Sequence, residues 1–104
     1  MTLDEYQQLA LRTAWVDGKL PPLWYLALGL CGEAGELANL VKKHERHGKP
    51  FDPDRVADEL GDVLWYLAVA AQAAGISLDE LANRNVDKLR ARYPEGFFAR
   101  GDGA

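Results

Sequence analysis

The segment Glu59-Leu60-Gly61-Asp62-Val63-Leu64-Trp65-Tyr66-Leu67-Ala68-Val69-Ala70-Ala71 carries two messages. From Val63 to Ala71 every position is apolar or aromatic. A helix that is hydrophobic on every side is buried on every side. At its start, Glu59 and Asp62 stand at i, i+3, which makes them neighbours on a helix surface, roughly 5–6 Å apart at Cβ. A wrapped helix with two acids at its entrance belongs in an all-α bundle, and no part of the chain shows a strand pattern.

Working outward, the punctuation predicts four helices. Thr2 and Glu5 form a capping box that opens a first helix running to about Val16, with Gly18 as the stop. Pro21-Pro22 opens a second, which runs to about His47 and ends at Gly48. Asp52 and Pro53 cap a third that ends before Gly75. Ser77 and Glu80 form another capping box, and the fourth helix stops before Pro94. Short connections predict antiparallel neighbours, hence a four-helix antiparallel bundle. Residues 1–95 read as one helical domain, and 96–104, with Gly96, Gly101 and Gly103, as a flexible tail.

A second acid pair, Glu33 and Glu36, repeats the i, i+3 spacing in the second helix. The apolar stripe there is Leu23, Leu26, Leu30, Leu37 and Val41; in the third helix it is Val56, Leu60, Val63, Leu64 and Leu67. Both acid pairs border these stripes, where helix faces helix. Four helices of one subunit cannot cover Val63–Ala71 together with Trp24 and Tyr25. This predicts a homo-oligomer, most simply a symmetric dimer, with a tetramer open. Trp65 is expected in the face between subunits.

Composition sets limits. A chain of 104 residues with 48% hydrophobic content is one ordinary globular domain. A net charge of −4 argues against a non-specific nucleic-acid binder. Cys31, the one cysteine, excludes an internal disulfide and reads as a buried small residue. No signal-peptide pattern opens the sequence and no apolar stretch is long enough for a bilayer, so a cytoplasmic protein is expected.

Four carboxylates at one helix–helix boundary repel unless a cation sits among them. With no cysteine or histidine at ligand spacing, the cation is a hard one such as Mg²⁺, which shares its oxygen ligands with substrate phosphates. Such an ion supports phosphoanhydride hydrolysis, and a two-metal clamp is one form of it. His44 and His47, among Lys42, Lys43, Arg46 and Lys49, fit a helix C-terminal dipole better than a lid over polyphosphate. Gly29, Gly32, Gly35 and Gly61 lie inside helices at a cost of about 1 kcal/mol each relative to alanine. They serve close ligand approach, tight helix crossing, or both. Asn85 falls in the apolar face of the fourth helix (Leu78, Ala82, Val86, Leu89, Tyr93), with Lys88 at its edge. It is a nucleotide contact or a structural amide. Trp15, Tyr25 and Phe51 can stack on a base, although packing is the commoner use of such residues.

Three stretches, Gly29–Leu37 (GLCGEAGEL), Glu59–Tyr66 (ELGDVLWY) and Asn85-x-x-Lys88-Leu89-x-x-Arg92-Tyr93-Pro94, resemble the MazG-like nucleotide pyrophosphohydrolases over residues 3–98. The resemblance implies an all-α bundle completed by oligomerisation. It implies Mg²⁺-dependent cleavage of a nucleoside triphosphate to monophosphate and pyrophosphate, in nucleotide-pool cleaning, with Mn²⁺ as a substitute ion. It implies Glu33, Glu36, Glu59 and Asp62 as metal ligands, with Glu33 and Glu36 candidates to handle the attacking water. Lys42, Lys43, Asn85, Lys88 and Arg92 are the implied substrate contacts. The chain departs from the pattern at Gly32, where many relatives place a second glutamate. Phosphoribosyl-ATP and dUTP or dCTP are alternative substrates. A non-catalytic helical oligomerisation module is the reading from another class, and metal-induced stabilisation counts against it.

Overall fold

The computed structural model describes residues 1–98. The order is α1 (Leu3–Leu11), α2 (Leu23–His47), α3 (Pro53–Ala73), α4 (Leu78–Arg92) and a short α5 (Pro94–Phe98). The chain is all-α. Among the described residues no single helix is long and apolar enough to cross a membrane.

The caps act largely as the sequence dictates. Thr2 and Glu5 complete their reciprocal box. Asp52 Oδ1 accepts the Arg55 N–H at 3.2 Å. Gly48 and Gly75 take the left-handed conformation, at φ 66 and φ 80, that closes their turns. Ser77 Oγ accepts the Glu80 N–H, but the Glu80 carboxylate turns to Arg84 at 2.7 Å, so that box is half-formed.

The first helix is shorter than predicted. It ends at Leu11, and the chain turns through Asp17-Gly18, at φ 51 and φ 74, with Val16 and Lys19 exchanging backbone hydrogen bonds of 2.8 and 3.0 Å. An Asp-Gly pair with two positive φ angles is the type I′ turn that strands and bridges favour. At the other end, residues 94–98 are helical, so positions 96–98 of the expected tail belong to α5. Residues 99–104, which make up most of it, lie outside the described residues.

The longest contact is the α2–α3 pair. Gly29 lies against Tyr66, Glu33 opposite Glu59 and Asp62, and Lys43 shares a groove with Arg55. Rising numbers on α2 meet falling numbers on α3, so the pair is antiparallel. A Cβ at position 29 would enter the Tyr66 ring, whereas nothing lies within 4 Å of one at Gly32, Gly35 or Gly61. Tight crossing therefore accounts for Gly29 alone. The expectation of antiparallel neighbours stops at α3, because α4 leaves it at 98° and touches α1 and α3 only sparingly.

The core is small. Ala10, Leu11, Ala14, Leu26, Ala68, Val69, Ala71 and Leu78 are buried, and four of these eight are alanines with little to bury. One polar side chain joins them. Gln7 is 1% exposed; its Nε2 donates to the carbonyls of Ala68 (3.1 Å) and Ile76 (3.2 Å), and its Oε1 accepts from the Leu78 N–H (3.0 Å). This amide ties α1 to the α3–α4 turn. Asp4 extends the tie by accepting the Asp79 N–H at 2.8 Å.

Several faces differ from the sequence reading. Leu26, Leu30 and Leu37 are shielded by α3 as predicted, but Leu23, Val41 and Leu60 are exposed, and Leu40 takes the inward place assigned to Val41. Cys31 and Asn85 are exposed where burial was expected, because α2 and α4 each leave their far side uncovered in one subunit. Trp65, expected between subunits, is partly buried within the chain. It packs on the core and its Nε1–H donates to Thr13 Oγ1 at 2.8 Å. Much uncovered aromatic and apolar surface is on α2, where Trp24 is 67% and Leu28 66% exposed.

Gln7→Leu keeps the volume but leaves the Leu78 N–H and the Ile76 carbonyl without their side-chain partner, and takes from the Ala68 carbonyl the bond it accepts in addition to its helical one. It should lower unfolding stability by about 2–4 kcal/mol, measured by urea denaturation. A change within error would show that water replaces all three bonds.

Candidate metal and nucleotide site

Three carboxylates meet between α2 and α3. Glu33, Glu59 and Asp62 each offer an oxygen, and these lie within 4.8 Å of one another. Glu33 and Glu59 are half-buried and Asp62 is exposed. The antiparallel register brings them together, since Glu33 sits one turn past Gly29 and Asp62 one turn before Tyr66. Glu36 is not among the converging oxygens. It lines an adjoining groove of about 270 Å³ with Asn39, Leu40, Lys43, Arg55 and Glu59.

The cluster is electrostatically uncompensated. The Oε2 atom of Glu59 is buried and has no hydrogen-bond partner. A buried carboxylate oxygen without a donor is costly. The Glu33 carboxyl is held above the ordinary carboxylate range, first by desolvation, then by the charges of Asp62, Glu36 and Glu59 and by a side-chain hydrogen bond with Glu59. The Tyr6 phenol is pushed up by burial and by the charge of Asp62. It stays a neutral hydroxyl and puts α1 beside the acids. Nothing in the sequence marked Tyr6, because its position in α1 looks like ordinary core. The donor set consists of oxygens alone and includes an orphaned buried one. Those residues fit a hard divalent cation.

The other residues expected at the site are dispersed. Lys43 reaches the acidic groove, and Lys42 does not line it. Asn85 and Lys88 line a separate groove with Ile76, Leu81 and Arg84. Arg92 borders another with Tyr93, Pro94 and Glu95. The 98° turn into α4 carries these three away from the acids of their own subunit. Arg55 was missed. Its spacing four residues before Glu59, one helical turn, was the available signal.

Comparison with known proteins adds the decisive observation. The model of the MazG nucleotide pyrophosphohydrolase domain matches residues 24–97, which takes in both acid pairs. The chain belongs to this family. Gene 37 protein of Mycobacterium phage L5 is 38% identical over 105 residues, covering 92% of each chain. The dCTP pyrophosphatase 1 of Bos taurus is 36% identical over 75 residues, or 66% of this chain and 44% of that protein. The uncharacterized protein YvdC of Bacillus subtilis (strain 168) is 29% identical over 73 residues, covering 62% of this chain and 69% of that one. No solved structure matches. In this MazG domain, the first family motif and the second are the two walls of the acidic cluster.

A carboxyl with a raised folded pKa binds its proton more tightly in the folded state. Its stabilisation is complete below the ordinary carboxylate range and is lost as pH rises through the raised value. Metal-free protein should therefore lose thermal stability as pH climbs through that window. Glu33→Gln should flatten this part of the Tm–pH profile. The same slope in the variant would exclude Glu33 as its source.

Proposed function

We propose that the chain is a Mg²⁺-dependent nucleoside triphosphate pyrophosphohydrolase that releases a monophosphate and pyrophosphate. The observation that carries this reading is the buried, partnerless Glu59 oxygen among converging carboxylates, beside a groove that holds Lys43 and Arg55. Glu33, Glu59 and Asp62 would hold the ion, which supplies charge neutralisation and orientation for the phosphates. Glu36 stands at the groove wall, outside the tight cluster, and is assigned the attacking water. The water oxygen bonds to the α phosphorus and its proton passes to a carboxylate. The α–β bridging bond breaks, and its electron pair leaves with pyrophosphate. Lys43 and Arg55 neutralise charge that grows on the departing oxygens. Deoxycytidine triphosphate is the first substrate to test, because one relative is named for dCTP.

A homo-oligomer is part of the same proposal. Trp24, Tyr25 and Leu28 form an exposed apolar face on α2, and the open space beside Gly32 and Gly35 leaves room for close approach. A second copy would cover this face.

A substrate panel tests the reaction. With Mg²⁺, wild-type protein should convert nucleoside triphosphates to monophosphate and pyrophosphate. Asp62→Asn should lose both Mn²⁺ binding and turnover, the latter roughly 100-fold or more. Glu36→Gln should lose turnover as well, and its Mn²⁺ affinity then reports whether Glu36 is also a ligand. Diphosphate and phosphate as products, or wild-type turnover in either variant, would overturn the reading. For assembly, Trp24→Glu should keep helix content by circular dichroism and sediment as monomer. Trp65→Glu should unfold the subunit, since it places a charge against the subunit's own core. An unchanged oligomer in Trp24→Glu would remove α2 from the interface.

A further inference from the structure

A second groove lies at the α2–α3 turn. It encloses about 520 Å³ and is lined by Lys43, Lys49, Phe51 and Arg55, among others. None of its three cations is in an ion pair among the described residues. The one carboxylate there, Asp52, is engaged in capping α3 through the Arg55 N–H. Three cations against one carboxylate leave the groove net positive, which favours an anion, and a concave wall concentrates their field.

The groove is continuous with the acidic site. Leu40, Lys43 and Arg55 line both it and the smaller groove that holds Glu36 and Glu59. The two form one trough, acidic toward the middle of the hairpin and cationic at the turn. The cationic end is also held in place. The Lys49 N–H donates to the Lys43 carbonyl at 3.2 Å, His44 Nδ1 lies 2.7 Å from the Lys49 carbonyl, and the Phe51 ring rests 5.4 Å from that of His44. On the opposite side of the acids the hairpin changes character, to Tyr66 against Gly29 with Tyr25 and Trp24 beyond.

A triphosphate cut at its α phosphorus extends two ways from the reacting atom, with two phosphates on one side and sugar and base on the other. We infer that the Lys43–Lys49–Arg55 groove holds the β and γ phosphates, and hence the departing pyrophosphate. The nucleotide then lies along the hairpin with its phosphate tail toward the turn and its nucleoside toward Tyr66. This assignment rests on the hydrolase reading and adds Lys49, which no family motif above contains. Charge-assisted bonds from ammonium and guanidinium groups fit a diphosphate and offer little to a neutral base.

Calorimetric titration of the whole chain in Mg²⁺, with inorganic pyrophosphate and with dCMP as separate probes, tests this. Lys49→Gln and Lys43→Gln should each weaken pyrophosphate binding roughly three- to tenfold while leaving dCMP nearly unchanged. Pyrophosphate bound as tightly by both variants as by wild type would overturn the assignment. So would a loss confined to dCMP, which would place the nucleoside at the turn. The hydrolase reading is judged separately, by turnover. If wild-type protein cleaves no nucleotide yet binds pyrophosphate through Lys49, the diphosphate groove stands and the hydrolase reading falls.

Discussion

The Tyr66 ring lies where a side chain at position 29 would be, and the rest of the hairpin follows from that contact. With Gly29 seated under Tyr66, α2 and α3 can pair in one antiparallel register. That register sets Glu33 opposite Glu59 and Asp62, and further along it sets Lys43 beside Arg55. A slip of one residue rotates a helix by about 100°, enough to turn these side chains away from one another. A glycine that costs helix stability is thus what allows the acids to meet.

The arrangement is not self-sufficient. Oxygens of Glu33, Glu59 and Asp62 converge, Glu59 has a buried oxygen without a donor, and the Glu33 carboxyl keeps its proton more tightly than usual. Opposing this repulsion is a core in which half the buried residues are alanine, tied to α1 by one glutamine amide. Large apolar side chains on α2 remain in water. Such a subunit gains from anything that adds positive charge to the cluster or covers α2, because each gain is absent from the unfolded chain.

Charge is ordered along the hairpin. Cations gather at the turn, carboxylates in the middle, and aromatic rings toward the far end. The order matches the chemical sequence of a nucleotide, in which phosphate tail, reacting phosphorus and nucleoside follow in line. Residues on α4 stand outside this line within one subunit, because the chain bends by 98° before α4 begins.

The sequence by itself determined the all-α class, the family and most helix ends. Those depend on local chemistry: Thr2 and Glu5 bond to each other, Asp52 caps its own helix, and Gly48 and Gly75 adopt positive φ wherever a chain needs it. The two acid pairs were legible for the same reason, since i, i+3 spacing is a property of one helix. What needed the tertiary structure was every relation between helices. Gln7 reads as an ordinary polar residue until the carbonyls of Ala68 and Ile76 close on it. Cys31 and Leu60 carry apolar side chains, yet burial depends on what covers a face, and in one subunit nothing covers theirs. Trp65 was expected in a face between subunits, and within the chain it packs against the core because the segment after α1 meets it at Thr13. The separation of Glu36 from the other acids, and the joining of Lys49 to Arg55, were decided by the packing angle and the turn. Periodicity assigns a residue to a side of its own helix, and only packing determines what it faces there.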